Sequence, residues 1–329
     1  MAMAKKQKVT LIEVAELAGV SRAAAGKVLN GGSDKIGVGA EARKRILEAA
    51  RKLNYQPNMA ASILAGGQSK MIGVLIDSFA KYRTMRLLQE IEQVSSSLGY
   101  QIMTSFTHEN IKHMKAHYLV FQRYGITNFI CCAHRYPDLQ SEFLNSFSGE
   151  PNIVFMEKPV CEGKRYASTS RVKALSQMIA GAVRKGYRKI GMFSAGLKWP
   201  TEAALYREFD QAMKQNGLEP DPQLIAQYPE KLSLRNQAAA MMEKVILPCR
   251  PEVLYIDDAL HAAALQTCLL ERGIQIHLYG GNDDPLFEGL GLKSFDPCYR
   301  RIAQALLDLL MQPGYHGKMP VIEAVYSGN

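Results

Sequence analysis

The chain has 329 residues, 47% of them hydrophobic and 22% charged, with a formal net charge of +9. That length and composition predict two or three globular domains, and no apolar run reaches the roughly 18 residues of a membrane span, so a helical membrane protein is excluded and no membrane partner is expected. The charge is uneven: residues 1–70 carry 12 Lys/Arg against 5 Asp/Glu, the remainder 28 against 26.

The opening MAMAKKQKVT has lysines but no apolar stretch behind them, so it does not read as an export signal, and the expected compartment is the cytoplasm. Thr10 is placed to cap a first helix, in which Leu11, Val14, Ala15 and Ala18 keep the i, i+3, i+4, i+7 spacing of one buried face. Gly19 stops that helix, since glycine adopts positive φ without penalty. Ser21 caps a second helix at once, with Ala24, Ala25, Val28 and Leu29 on its apolar side. Two short helices joined by a tight glycine turn are a helix-turn-helix. A third helix is predicted over about Gly39–Leu53, with Ile46, Leu47, Ala50 and Leu53 inward and Arg43, Lys44, Arg45, Arg51 and Lys52 outward. Three helices carrying most of the excess positive charge point to a polyanion partner; a solvated basic arm is the alternative that charge alone leaves open.

VAELAGVS, VLN, YQPN and a short Ala/Leu segment ending in glycine follow one another over residues 9–69. In that order they resemble the LacI/GalR family of bacterial transcription regulators, loosely so over the rest of the chain. The resemblance implies a hinge helix at about Asn58–Ala65 that folds when two copies meet on operator DNA, with Leu64 as the wedge in a minor-groove step. It also implies base readout by Arg22, Ala23 and Lys27, and phosphate or positioning contacts from Thr10, Ser21, Asn30, Tyr55 and Asn58, of which Thr10 and Ser21 double as caps. The chain departs from the family where VSRAAAGKVLN replaces VSxxTVSRVLN. Ala24 and Gly26 remove two hydroxyls, and Gly26 costs about 1 kcal/mol of helix propensity against alanine. Gly31–Glu41 is a few residues longer than usual.

From Met71 onward short apolar runs alternate with helical segments. MIGVLID, YQIMTS, TNFICCA, NIVFM, RKIGMFS, EVLYID and QIHLYG read as buried strands. Arg83–Leu98, Arg171–Lys185, Glu202–Asn216 and Ala259–Arg272 read as helices. This alternation predicts an α/β class with parallel sheets covered on both faces, in two lobes because some 260 residues exceed one such core. The resemblance implies a periplasmic-binding-protein-like pair of lobes with a small-molecule effector between them. The expected organisation is a headpiece over 1–56, a hinge and linker over 57–70, and a two-lobed domain over 71–329. Lobe 1 takes about 71–168 and 296–313, and lobe 2 about 169–295 and 314–329.

Ligands of parallel sheets sit at strand carboxyl ends. There the resemblance assigns Arg207 and Asp257 to the effector, with Asn282 where the family has aspartate, while Asp258 reads as a helix cap. Trp199, in the loop after a strand, is a candidate to stack on a sugar ring, or else a core residue. AKYRT at Ala80–Thr84 replaces the family's SNPFF, and Ser170 replaces an aspartate, so the first-lobe wall is rebuilt. Lys81, Tyr82 and Arg83 suggest an acidic or larger ligand. His108, His113 and His117 lack the companions of a metal site, and the six cysteines (Cys131, Cys132, Cys161, Cys249, Cys268, Cys298) lack paired spacing and read as free thiols. No catalytic motif is found and no cofactor or metal is expected. The function expected is a homodimeric, effector-controlled repressor of double-stranded operator DNA, dimeric because no helical tail follows Asn329. A solute-binding protein of the same fold, or a regulator with a vestigial pocket, is the alternative.

Overall fold

The structure is a computed structural model that describes residues 9–29, 37–56, 69–76, 82–107, 110–132, 152–159, 163–194, 200–229 and 231–326. It divides into two compact units, with the boundary between Lys70 and Met71 apart from the short stretch Gln122–Ile126.

The first unit holds α1 (Leu11–Ala18), α2 (Arg22–Leu29) and α3 (Ala40–Lys52). Thr10 closes a reciprocal capping box: its Oγ1 accepts from the Glu13 amide, and Glu13 Oε2 accepts from the Thr10 amide at 2.6 Å. Gly19, at φ +63°, ends α1 in the left-handed region, its amide turned back to the carbonyls of Ala15 and Glu16. The core is Val14, Ala15, Ala18, Ala25, Ile46, Ala49 and Ala50. Five of these are alanines, so the helices approach closely, and Val14 and Ile46 supply most of the buried bulk at about 1.5–3 kcal/mol each. Leu47 does not join them: it is 39% exposed, and Ala49 takes the inward place. The packing constraint is tight at Gly26, where a Cβ would lie 3.3 Å from the Leu11 Cδ2.

The second unit contains two parallel sheets. One has six strands in the order β11-β5-β4-β3-β1-β2: Val321–Glu323, Arg165–Ser170, Ile153–Met156, Asn128–Cys132, Met71–Ile76 and Gln101–Phe106. Helices α4 (Tyr82–Ser97), α5 (Ile111–Arg123) and α11 (Tyr299–Leu310) belong to this lobe, and α4 packs on α11. The other sheet has the order β7-β6-β8-β9: Ile225–Gln227, Ile190–Ser194, Val253–Ile256 and His277–Gly280. With it go α6 (Val172–Arg184), α7 (Pro200–Gln215), α8 (Leu234–Met241, running on through a π-helical turn Met242–Ile246), α9 (Ala259–Glu271) and α10 (Pro285–Gly289). Successive residues of β8 enter opposite cores. Val253 and Tyr255 pack with Leu175, Phe209 and Met213, whereas Leu254 and Ile256 pack with Met242 and Leu265. That is why the strand reads as a continuous apolar run.

The chain leaves the six-stranded lobe after Ser170 and returns after β10 (Phe295–Asp296). The third crossing, expected near 314, is corrected. Val321–Glu323 pair with Ser168–Ser170, and only after Ala324 does β12 (Val325–Tyr326) pair antiparallel with β10. Both strands concerned are short or polar: β5 reads RYASTS and alternates buried with half-buried residues, a pattern that sequence hydropathy passes over.

Gly26→Ala is expected to raise headpiece stability by about 0.5 kcal/mol. The propensity gain of about 1 kcal/mol exceeds the cost of turning the end of the half-buried Leu11 side chain. Thermal unfolding of the full chain, followed through the headpiece transition, tests this; a lower transition would mean that Leu11 cannot give way.

Candidate DNA-reading face and effector cleft

In the headpiece, the Ala24 amide donates to Ser21 Oγ at 3.1 Å, which fixes the start of α2 at the next residue. Arg22 and Ala23 therefore occupy its first turn, and Lys27, one turn beyond Ala23, shares its face. All three are exposed, and among the described residues neither Arg22 nor Lys27 makes a hydrogen bond or ion pair. Free donors at the start of a projecting helix are the equipment for reading base edges. Lys44, Arg45, Arg51 and Lys52 add exposed positive charge on α3.

Thr10 is more committed than its sequence position implied, since its hydroxyl also donates to Glu13 Oε2 at 2.9 Å. The Thr10 backbone and side chain hold the Glu13 carboxyl below its ordinary range. The Thr-x-x-Glu spacing of this box was readable in the sequence. Tyr55 packs half-buried at the core edge, its amide bonded to the Ala50 carbonyl at 2.8 Å. Asn30, Asn58, Leu64 and the hinge segment lie outside the described residues, as does most of Gly31–Glu41.

In the larger unit Arg171 follows β5 directly and stands where the chain first crosses between lobes. Its side chain is almost wholly buried; Nη1 reaches Glu208 on α7 at 3.0 Å, and Nη2 reaches Glu157, just after β4, at 3.8 Å. The Arg171 amide also donates to Glu208 at 3.2 Å. Burial works against the guanidinium charge, but Glu208 and Glu157 outweigh it and hold the group firmly protonated. Glu157 has φ +70° and accepts from the Thr169 amide at 3.3 Å. Sequence reasoning passed over all three residues. The available signal was position, since Glu157 and Arg171 each follow a strand.

Beside this network lies a small cavity open to solvent, with Arg83, Thr84, Glu157, Thr169 and Tyr299 among its lining groups. Leu87, Met156 and Ile302 form its apolar floor. The lobes also touch where the Tyr299 hydroxyl donates to the Asn282 carbonyl at 2.7 Å. Burial, opposed by the nearby Arg83, raises the Tyr299 pKa.

Asn282 and Asp257 stand side by side, the Asn282 amide donating to the Asp257 carbonyl at 2.7 Å, with Asn282 held at φ +72°. Asp258 caps α9 as expected, accepting from the Leu260 and His261 amides. It also meets His261 Nδ1 at 2.8 Å, while His261 Nε2 lies 2.7 Å from Gln237 Oε1. The Tyr228 ring lies tilted against His261, the ring centroids 4.1 Å apart. Its hydroxyl is buried with no hydrogen-bond partner among the described residues, and burial together with Asp257 and Asp258 raises its pKa well above the ordinary value.

Arg207 is found on the exposed face of α7, while its neighbour Glu208 turns inward to Arg171. The i, i+1 step on a helix separates them by about 100°, so a one-residue reading of ALYREF decides which group faces the cleft. Trp199 and Lys81 lie outside the described residues. His113 and His117 stack on α5, and His117 meets Ser105; among the described residues no metal-binding cluster occurs. Nor is any helix among them long and apolar enough to cross a membrane.

Residues 10–58 match the family described as "Bacterial regulatory proteins, lacI family". The chain is 38% identical to the sucrose operon repressor of Klebsiella pneumoniae over 106 residues, 32% of either chain. It is 22% identical to the transcriptional repressor PurR of Histophilus somni over 81% of this chain and 79% of that one. To the transcriptional regulator GntR of Pseudomonas aeruginosa it is 26% identical, over 84% and 80%. Among solved structures, the Lac repressor dimer bound to operator and the anti-inducer ONPF superposes with a TM-score of 0.77 at 21% identity, covering 97% of both chains. A LacI-family regulator from Silicibacter pomeroyi gives 0.67 at 25% identity, over 97% and 98%.

Arg171→Met is expected to destabilise the larger unit by about 3–5 kcal/mol, because Glu157 and Glu208 would face each other without a cation. Arg207→Met, one residue from Glu208 but exposed, should stay within about 0.5 kcal/mol of wild type. Urea denaturation compares the two; equal losses would show that the buried network contributes nothing.

Proposed function

We propose that this chain, which belongs to the LacI family of bacterial regulatory proteins, is a homodimeric transcriptional repressor whose operator affinity is set by a small-molecule effector bound between the two lobes. The observation that carries the reading is the exposed Arg22, Ala23 and Lys27 face at the start of α2, set by the Ser21 cap and backed by the basic α3. Arg22 is assigned a bidentate contact to guanine and Lys27 a base or phosphate contact. Ser21 and Tyr55 are assigned to positioning on the backbone, with Thr10 near it through its cap, and Asn30 and Asn58 in the same role. Leu64 is assigned the minor-groove wedge. Two copies related by a two-fold axis call for a near-palindromic site.

In the cleft the reading assigns Asp257 and Asn282 to the effector, a sugar or sugar derivative, with Trp199 at its mouth. Arg207 is withdrawn from that set in favour of Glu157, which lines the cavity. The effector acts by linkage: it changes operator affinity only as far as it binds the two conformers of the lobes unequally. The reading assigns no catalytic step, cofactor or metal, and places the protein in the cytoplasm, where its DNA is. A solute-binding role would leave the basic headpiece without a task.

The hallmark of this reading is steep salt dependence, with log affinity for operator falling linearly with log salt at about 0.9 per phosphate neutralised. Arg22→Ala is expected to cost about 1–3 kcal/mol on the best site and to relax selectivity at one base pair per half-site. Fluorescence anisotropy of the full chain on selected and random duplexes measures both. Equal affinity for the two duplexes at low salt would end the DNA-reading assignment.

A further inference from the structure

The amino ends of the lobe 2 strands, opposite the cleft, carry a strip of positive charge. It is built from RKGYRK (Arg184–Lys189), the segment that ends α6 and leads into β6, and from Arg250, shortly before β8. β6 and β8 are parallel neighbours with Ile190 opposite Val253, so the two segments emerge side by side. Arg184, Lys185, Arg188, Lys189 and Arg250 are all exposed. One carboxylate stands among them: Glu252 accepts from the Lys189 amide at 2.9 Å and the Arg188 amide at 2.7 Å, which hold it below its ordinary range. Other acids of lobe 2 are engaged. Asp221 accepts from the Gln223 amide at 2.9 Å as a cap, and Glu243 and Glu271 pair with Arg272 and Arg235, both at 2.9 Å. Residues 71–329 hold 28 Lys/Arg against 26 Asp/Glu, so outside the strip acids outnumber bases, 25 to 23. The positive charge of the larger unit is therefore local.

The strip is also held in place. Arg188 Nη1 donates to the Val183 carbonyl at 3.1 Å and the Tyr187 carbonyl at 2.9 Å, which leaves the other donors of its exposed guanidinium for an outside acceptor. Lys189 Nζ donates to the Cys249 carbonyl at 3.4 Å and ties the two segments together. Cations fixed in this way lose little freedom when they meet a polyanion. Complementing the α6 dipole accounts for Arg184 and Lys185, but not for Lys189 and Arg250, which lie beyond that helix. The partner class follows from what the strip lacks. Among the described residues, segments 184–190 and 247–253 expose a large apolar side chain only at Leu247, whereas a protein partner needs an apolar centre to anchor on and a membrane surface needs apolar insertion. The Tyr187 hydroxyl and ring are taken up by His277, so no free aromatic is offered to single-stranded bases. What remains suits a phosphate backbone and nothing more specific.

We propose that this strip is a second, sequence-independent binding face for duplex DNA, distinct from the reading face of α2, so that a protein holding one duplex by its headpieces holds another by lobe 2. Its few contacts make it weak beside operator binding, and it is the first to be lost as salt rises.

The test saturates the full chain with a donor-labelled duplex selected for tight binding and then adds an acceptor-labelled random duplex at low ionic strength. Energy transfer between the labels is expected from wild type. It should be lost in the triple variant Arg184→Gln, Lys185→Gln, Lys189→Gln, whose affinity for the selected duplex stays unchanged. The slope of log affinity against log salt for the second duplex should fall by up to about 0.9 for each phosphate contact removed. Arg250→Asn, which suits the left-handed backbone at that position (φ +51°), carries the comparison if the triple variant melts early. No energy transfer in wild type, or transfer that persists in both strip variants, would overturn the proposal. Polyglutamate or phosphatidylglycerol vesicles displacing the random duplex as well as unlabelled duplex does would overturn DNA as the partner. Arg22→Ala separates this face from the operator reading: it should weaken the selected duplex and, once saturated, still capture the random one, and loss of capture there would mean that the headpieces hold both. If no duplex is preferred over random sequence, the operator reading fails, while transfer between two random duplexes still decides the strip.

Discussion

The larger unit is organised around a charge that cannot be moved. Arg171 is buried at the point where the chain passes from one lobe to the other, and a buried guanidinium is tolerable only with carboxylates around it. Glu157 comes from the first lobe and Glu208 from the second, so the buried guanidinium is met by a carboxylate from each lobe, and the triad keeps one excess negative charge. Attraction within such a triad roughly offsets the cost of desolvating it; what it supplies is a defined alignment. Glu157 is thereby fixed on the wall of the cavity.

The headpiece meets the opposite demand, with little to bury. Its core is mostly alanine, so close approach replaces bulk, and local chemistry fixes the ends of the helices: the Thr10–Glu13 box, Gly19 in the left-handed region and the Ser21 cap. These devices set the phase of α2, and phase decides function, because one residue of shift turns Arg22 and Lys27 about 100° away from their common exposed side. Gly26 belongs to the same logic. The family's hydroxyl is absent there, and the space is taken by Leu11.

The two activities are coupled only through free energy. A ligand in the cleft that contacts both lobes favours whichever arrangement brings their groups to it. Its leverage over DNA binding equals its preference for that arrangement.

The amino-acid sequence by itself determined the helix-turn-helix, its caps, the basic third helix and the alternation of strands and helices, because each of these is written in local spacing: periodicity, a capping residue, a glycine. It also put Asp257 and Asn282 just after strands. Tertiary structure alone decided what long-range pairing decides. The third crossing lies at Ala324 because Val321–Glu323 find an edge strand 150 residues away, and nothing in those three residues announces it. The inward group of ALYREF is Glu208, since its face is chosen by Arg171 from another element. The Tyr228 hydroxyl, buried with no hydrogen-bond partner among the described residues, is likewise invisible in a sequence, where every polar side chain has the same prospects. A partner, or the lack of one, exists only once the chain has folded.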